Sequence, residues 1–272
     1  MLAREPSRTA LSAAAHRAAH QLDGAALFAD PLAIKIVGDR EARKSQAEAD
    51  PGMRMFIAAR SRFAEDMLAA SLSCGVAQLV VLGAGLDTYA YRGEARERLS
   101  IFEVDHPATQ AWKRERLAAV GITEPENLRF APVDFENEAI ATGLARAGFD
   151  ANRRTFYFWL GVTPYLTRAA IDAVWALIAR NRGGGEVVFD YATPRAAVPE
   201  QHRAANDALM ARVAALGEPF LTAFDPNTLP AQLRAAGFAG VNDVTLGDLL
   251  AQYFPDAPRS PSLGHIVHAM TA

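Results

Sequence analysis

Between residues 9 and about 43 the chain is alanine-rich with helical periodicity, broken at Asp23-Gly24 and at Asp30-Pro31, where a proline suits the first turn of a helix. Over 52–72, the positions Met55, Ala59, Phe63, Met67 and Ala70 recur every three or four residues and predict one long helix with a single apolar face. After Gly75 the texture changes. Short β-rich runs over 78–82, 100–104, 128–133, 155–160 and 186–191 alternate with helical stretches, the pattern of a parallel sheet. A helix over 167–181 is predicted between the last two runs, capped by Thr167 and stopped by Gly183-Gly184-Gly185, with Ile171, Val174, Trp175 and Ile178 facing inward. Residues 194–226 leave the alternation, being alanine-rich with prolines at both ends, and predict a helical lid insertion. A helix over 229–236 and strands near 241–245 and 264–270 complete the chain, the two strands being expected to close as an antiparallel hairpin without a crossover helix.

The expected class is therefore α/β, with a mostly parallel, Rossmann-like, seven-stranded sheet. Its parts would be an N-terminal helical cap (1–74), a cofactor-binding core (75–193), the lid (194–226) and the end of the sheet (227–272). At 272 residues one domain is expected, since two full ones would be cramped. Half the residues are hydrophobic and 22% are charged, an ordinary globular balance. A net charge of -3 gives no global field for nucleic acid or an anionic membrane, which leaves a small molecule as the expected partner. Cys74, the one cysteine, excludes an internal disulfide and a paired-cysteine zinc motif. It is expected to be inert core in a cytoplasmic protein that holds no metal. His16, Arg17 and His20 interrupt the alanines where a signal peptide would be apolar. The most apolar run, 155–166, contains Gly161 and Pro164 and falls short of the roughly 20 residues that span a bilayer.

The chemistry concentrates at strand ends, where such sheets bind ligands. Val80-Val81-Leu82 runs into Gly83-Ala84-Gly85-Leu86-Asp87-Thr88, a turn whose glycines let backbone approach a ligand closely. A pyrophosphate cradle would need a third glycine where Thr88 stands, so a nucleoside without phosphates fits better. Asp105 ends the second run, 20 residues after Gly85, where a carboxylate can accept both ribose hydroxyls or cap the following turn. Asp134 ends the third run beside Phe135. It could take an adenine amine while Phe135 packs on the ring, or cap a helix beginning near Glu136. Candidates for the acceptor side are His202 in the insertion, His106 beside Asp105, and Tyr165 and Tyr191 at the ends of the fourth and fifth runs. Each has an unremarkable alternative as a solvated histidine or a half-buried rim tyrosine.

Taken in order, 82–88 (Leu-Gly-Ala-Gly-Leu-Asp-Thr), 102–107 (Phe-Glu-Val-Asp-His-Pro) and Pro164-Tyr165-Leu166 resemble the leucine carboxyl methyltransferase-like family of S-adenosylmethionine-dependent O-methyltransferases, in particular its bacterial branch tied to polyketide and other secondary metabolism. The resemblance runs from Ala29-Asp30-Pro31 to Tyr191 and weakens in the lid and tail. It implies a class I methyltransferase-like fold and S-adenosyl-L-methionine as cofactor. Arg60 would grip the methionine carboxylate, Gly83 and Gly85 would form the turn at the methionine moiety, Asp105 would hold the ribose, and Asp134 with Phe135 the adenine. Arg62 reads as a surface charge, and Asp87 as a residue that holds the turn. One position departs from the pattern: Leu160 stands where the eukaryotic protein-modifying members carry a glutamate, which weakens the case for a protein C-terminus as substrate. The leading expectation is methylation of a carboxylate or phenolic oxygen on a small apolar molecule. The alternatives are a nicotinamide-dependent oxidoreductase on the same sheet and a non-catalytic cofactor-binding or scaffold protein.

Overall fold

Every expected strand forms in the computed structural model, which describes residues 7–24, 26–135, 137–255 and 264–272. The strands are β1 (Gln78–Leu82), β2 (Ser100–Asp105), β3 (Leu128–Pro132), β4 (Thr155–Trp159), β5 (Gly185–Tyr191), β6 (Gly240–Thr245) and β7 (His265–Met270). The helices are α1 (Arg8–His20), α2 (Pro31–Val37), α3 (Asp39–Glu48), α4 (Pro51–Leu72), α5 (Tyr89–Arg92) and α6 (Pro107–Ala119). They continue with α7 (Ile140–Arg146), α8 (Arg168–Ala179), α9 (Glu200–Ala215), α10 (Leu229–Ala235) and α11 (Leu246–Tyr253). The sheet order is β3-β2-β1-β4-β5-β7-β6, a class I methyltransferase-like Rossmann arrangement. The pairs β2–β3, β1–β4 and β4–β5 are parallel, and β7 is antiparallel to both its neighbours.

The chain divides into two compact units, residues 1–70 with 83–149 and residues 71–82 with 150–272. In the first, α1, α2 and α3 form a small-residue core in which Ala14, Ala18, Ala33 and Ala42 pack around Ile36 and Leu86. Alanine lets the helix backbones approach closely. That brings these helices onto Leu86, the residue that follows the glycine turn. In the second unit β1, β4 and β5 are buried along their whole length, as expected of parallel strands covered on both faces. The side chain of Thr167 accepts the Ala170 amide at 3.3 Å and caps α8, and the buried face of that helix is the expected Ile171, Val174, Trp175 and Ile178.

Three expectations change. The closing strands are antiparallel but form no hairpin: α11 lies between them in the chain, started by a capping box of Thr245 and Asp248, and β7 inserts between β5 and β6. Cys74 is exposed, because α4 ends at Leu72 and the chain turns through Gly75 at φ +86°. Only part of 194–226 is helical: after α9 the segment runs irregularly, with Leu221 and Thr222 donating backbone N–H to the Pro164 carbonyl and Phe224 to Ala192. The helix start expected near Glu136 falls on a residue outside the described ones, and α7 begins at Ile140.

Candidate functional site

The first unit brings most of the expected cofactor residues together. Gly83 (φ +63°) and Gly85 (φ +47°) are both left-handed, and a Cβ on Gly85 would stand 3.1 Å from the Cβ of Ala10. The Gly83 amide donates to the Val104 carbonyl at 2.8 Å, tying the turn to the end of β2. Asp105 completes the tie. One of its carboxylate oxygens accepts the Gly85 amide at 2.5 Å and the other accepts the His106 amide at 2.6 Å. Each oxygen keeps a further acceptor position, so the group is aimed by two amides while still able to receive a pair of hydroxyls. Burial raises the Asp105 pKa, and the two amides pull it back.

Asp134 arrives at the same place from β3, where the Val133 amide donates to the Asp105 carbonyl at 2.9 Å. Its carboxylate accepts the Asn137 side chain at 2.8 Å and lies 4.0 Å from His106 Nε2, and Phe135 beside it is half-buried. The Asp134 carbonyl also accepts the Asn137 and Glu138 amides, so the residue shapes its own turn. His106 has a defined task at the start of α6. Its Nδ1 accepts the Ala108 amide at 3.2 Å, which puts the proton of the neutral ring on Nε2 and leaves no basic nitrogen facing outward. Arg60 is buried on α4, at 8% exposure, with its guanidinium 5.7 Å from the Phe56 ring centroid. Arg62 pairs with Asp66 at 2.8 Å on the more exposed side, and Asp87 accepts the Tyr89 amide at 2.8 Å, holding the turn.

Behind the turn lies a buried network that local pattern does not reveal. Asp30 is fully buried; besides capping α2 through the Ala33 amide at 3.1 Å, it accepts the Thr88 hydroxyl at 2.8 Å and pairs with Arg17 and Arg92, each at 3.3 Å. Arg17 reaches on to the Leu86 carbonyl, and Arg92 forks onto both oxygens of Glu65 at 2.6 and 3.1 Å. Thr88 thus ties the turn to this network instead of facing a phosphate. The one hint in the sequence is Arg17, a charge inside the alanine face of α1.

Other candidates belong to the second unit. Tyr165 lies in a single 3-10 turn, Thr163–Tyr165, beyond the end of β4, with its ring edge-on to Phe220 at 5.0 Å. Tyr191 ends β5 and is buried; its hydroxyl donates to Asp243 at 2.6 Å. Burial, and then Asp243, holds its pKa well above the usual tyrosine range. The other Asp243 oxygen lies 3.1 Å from His265 Nδ1. His202, half-buried on α9, has its Nε2 buried with no hydrogen-bond partner among the described residues. His16 and His20, four residues apart on α1, have a metal-pair spacing, but His20 uses Nε2 to accept the Leu27 amide at 2.7 Å and pairs through Nδ1 with Asp23 at 3.3 Å. Among the described residues no group of three or more His, Cys, Asp or Glu could hold a metal ion, and no helix is long and apolar enough to cross a membrane.

Residues 10–179, well over half the chain, match the family model described as Leucine carboxyl methyltransferase. The chain belongs to the leucine carboxyl methyltransferase family. Two relatives agree. A Bacillus subtilis (strain 168) protein named "Putative S-adenosyl-L-methionine-dependent methyltransferase YktD" is 32% identical over 216 residues, 79% of this chain and 71% of its own length. A "Putative S-adenosyl-L-methionine-dependent methyltransferase" of Mycolicibacterium paratuberculosis (strain ATCC BAA-968 / K-10) is 31% identical over 211 residues, covering 72% of this chain and 67% of its own length. Among solved structures, one titled as a putative methyltransferase from Thermobifida fusca YX superimposes with a TM-score of 0.62 over 100% of this chain and 97% of its own, at 17% identity, a likeness of fold. The matched region includes positions 60, 83, 85, 105, 134 and 135.

Proposed function

We propose that this leucine carboxyl methyltransferase family member is an S-adenosylmethionine-dependent O-methyltransferase acting on a carboxylate or phenolic hydroxyl of a small apolar molecule. The observation that carries the reading is the Asp105 carboxylate, aimed at the mouth of the sheet by the Gly85 and His106 amides with both oxygens still able to accept. That arrangement suits a ribose diol. Gly83 and Gly85 allow backbone to approach the amino-acid portion, Arg60 offers a buried fork for a carboxylate, and Asp134 with Phe135 suits an adenine edge and face. Thr88, committed to Asp30, weighs against a dinucleotide.

S-adenosylmethionine supplies an activated methyl group. The protein's contribution is to hold the acceptor oxygen in line, close and stripped of water. A carboxylate acceptor is already ionised at neutral pH, whereas a phenol with a pKa of about 10 gains from a base. Calorimetry tests the reading. Folded protein should bind S-adenosylmethionine and not NADH, and Arg60→Ala should weaken the first by at least tenfold. Tight NADH binding without S-adenosylmethionine binding would establish the oxidoreductase alternative instead, and binding with no product from any small carboxylic acid or phenol would favour a non-catalytic protein.

A further inference from the structure

We propose that Lys113 is a positioning residue for the cofactor, its buried ammonium supplying the positive charge against which Asp105 presents an ionised carboxylate to the ribose. The inference deepens the reading of Asp105 as the ribose ligand and rests on it. Every residue concerned lies within the first compact unit. Side chains two apart on a strand share a face, so Glu103 and Asp105 put two acids on one side of β2. Helix α6 supplies the cation. The Gln110 side chain donates to the Glu103 carbonyl at 2.9 Å, and Lys113, one turn further on, donates from Nζ to Glu103 Oε2 at 2.7 Å.

The pair is sealed from water. Glu103 and Lys113 are each 1% exposed, and the ammonium sits 5.6 Å from the ring centroid of Tyr91 on α5. Replacing such a pair by apolar side chains of similar volume is often neutral or stabilising, so fold stability alone does not account for it. Its hydrogen bonding is also unequal. One Glu103 oxygen accepts Lys113, whereas Oε1 is buried with no hydrogen-bond partner among the described residues, as is the Tyr91 hydroxyl. An unsolvated carboxylate oxygen without a donor is where a proton is most easily taken up. Burial pushes the Glu103 carboxyl up to about 7 against the pull of Lys113, with Asp87 and Asp105 adding to the rise.

Proton and charge then go to different acids. The titratable groups around the two are Asp87 from the glycine turn, Tyr91 from α5, His106 and Lys113 from the start and middle of α6, and Asp134 from the end of β3, 4.0 Å from His106. Burial raises Asp105, and the Gly85 and His106 amides and then Lys113 pull it back. As pH falls through neutrality Glu103 takes the proton, so the ammonium loses its nearest counter-charge and acts undiminished on Asp105, which stays ionised. The ribose hydroxyls therefore meet a charged acceptor, the stronger kind. Removing Lys113 withdraws that pull. Asp105 rises further, and affinity for a diol is lost at a higher pH than in wild type, because only the ionised carboxylate accepts from both hydroxyls without giving up an acceptor site.

The test measures binding of adenosine and of 2′,3′-dideoxyadenosine by calorimetry from about pH 6 to 9, with Tm alongside, for wild type, Lys113→Met and the double variant Glu103→Leu/Lys113→Met. Neither nucleoside titrates in that range, so any pH dependence belongs to the protein, and the ratio of the two affinities isolates the diol. In wild type the ratio should hold within about twofold across the range. In Lys113→Met it should fall about fivefold or more at pH 7. The double variant, which leaves neither charge unpaired, should regain the Tm that the single variant loses but not the diol preference, which should return only as the pH is raised towards 9. A double variant that recovers both would show that the pair only holds the fold, and would overturn the inference. So would a loss shared equally by the dideoxynucleoside, or a wild-type diol preference already half lost at pH 7, a result that needs no variant to fold. Wild type that binds S-adenosylmethionine yet shows no preference for adenosine over the dideoxynucleoside would instead remove the ribose reading of Asp105.

Discussion

Asp30→Asn removes one charge from the network behind the glycine turn. The asparagine oxygen can still cap α2 by accepting the Ala33 amide, but an NH2 group replaces the oxygen that accepts Arg17 at 3.3 Å and the Thr88 hydroxyl at 2.8 Å. Donors then face a donor. Arg17 and Arg92, whose side chains are each 9% exposed, lose their shared counter-charge in a buried setting, and only Arg92 keeps another carboxylate, that of Glu65. Breaking a buried pair from one side costs about 3 to 5 kcal/mol, against about 0 to 1 for an exposed one. For a chain of this size that corresponds to a fall in Tm of roughly 6 to 20 °C. Since Arg17 also holds the Leu86 carbonyl and Asp30 holds Thr88, S-adenosylmethionine affinity should fall as well, measured by calorimetry well below the lowered Tm. Urea unfolding followed by circular dichroism gives the stability term. A loss below about 1 kcal/mol would show that the network behaves like a surface pair and would refute the argument.

Asp105→Asn should weaken S-adenosylmethionine binding roughly 30- to 1,000-fold by calorimetry, since one carbonyl cannot serve both the Gly85 and His106 amides and a charged acceptor is lost, together about 2 to 4 kcal/mol. Gly85→Ala, which combines φ +47° with a Cβ 3.1 Å from Ala10, should lower both Tm and cofactor affinity, while Gly24→Ala, with nothing within 4 Å, should lower neither. Glu186 is pushed upward by burial but held at about 2 by hydrogen bonds from His268, Ser71 and Arg154, below its unfolded value of 4.5. A depressed carboxylate stabilises the fold above the unfolded pKa, so about 3 kcal/mol should be present above pH 4.5 and lost as pH falls towards 2; urea titrations across that window should show the loss in wild type and not in Glu186→Gln.

Strand positions, the α8 cap and the glycine turn were legible because they depend on local pattern: apolar runs, a threonine before a helix and two glycines after a strand. Asp105 was legible for the same reason, as an acid ending an apolar run. The network on Asp30 was not, because its members at 17, 30, 65, 88 and 92 meet only when α1 and α2 fold back over the turn. Read alone, Asp30-Pro31 announces a helix start. That reading is correct but describes only part of what the carboxylate does. The His265, Asp243 and Tyr191 cluster depends on β7 lying between β5 and β6, an order that alternation does not encode. His106 shows the converse: its position beside Asp105 suggested chemistry, and its geometry assigns it to capping α6.

Leu160 bears on the acceptor through its neighbours. The residue after it, Gly161, donates its amide to Asp190 on β5 at 2.6 Å, and the Thr163 hydroxyl donates to the Asp190 carbonyl. The carboxylate that shapes the end of β4 therefore comes from the adjacent strand, and Asp190 is buried in doing so. A glutamate at 160 would place a second acid one residue before this backbone contact, whereas leucine leaves a half-buried apolar side chain there. Leucine at 160 is thus in keeping with the small apolar acceptor proposed above.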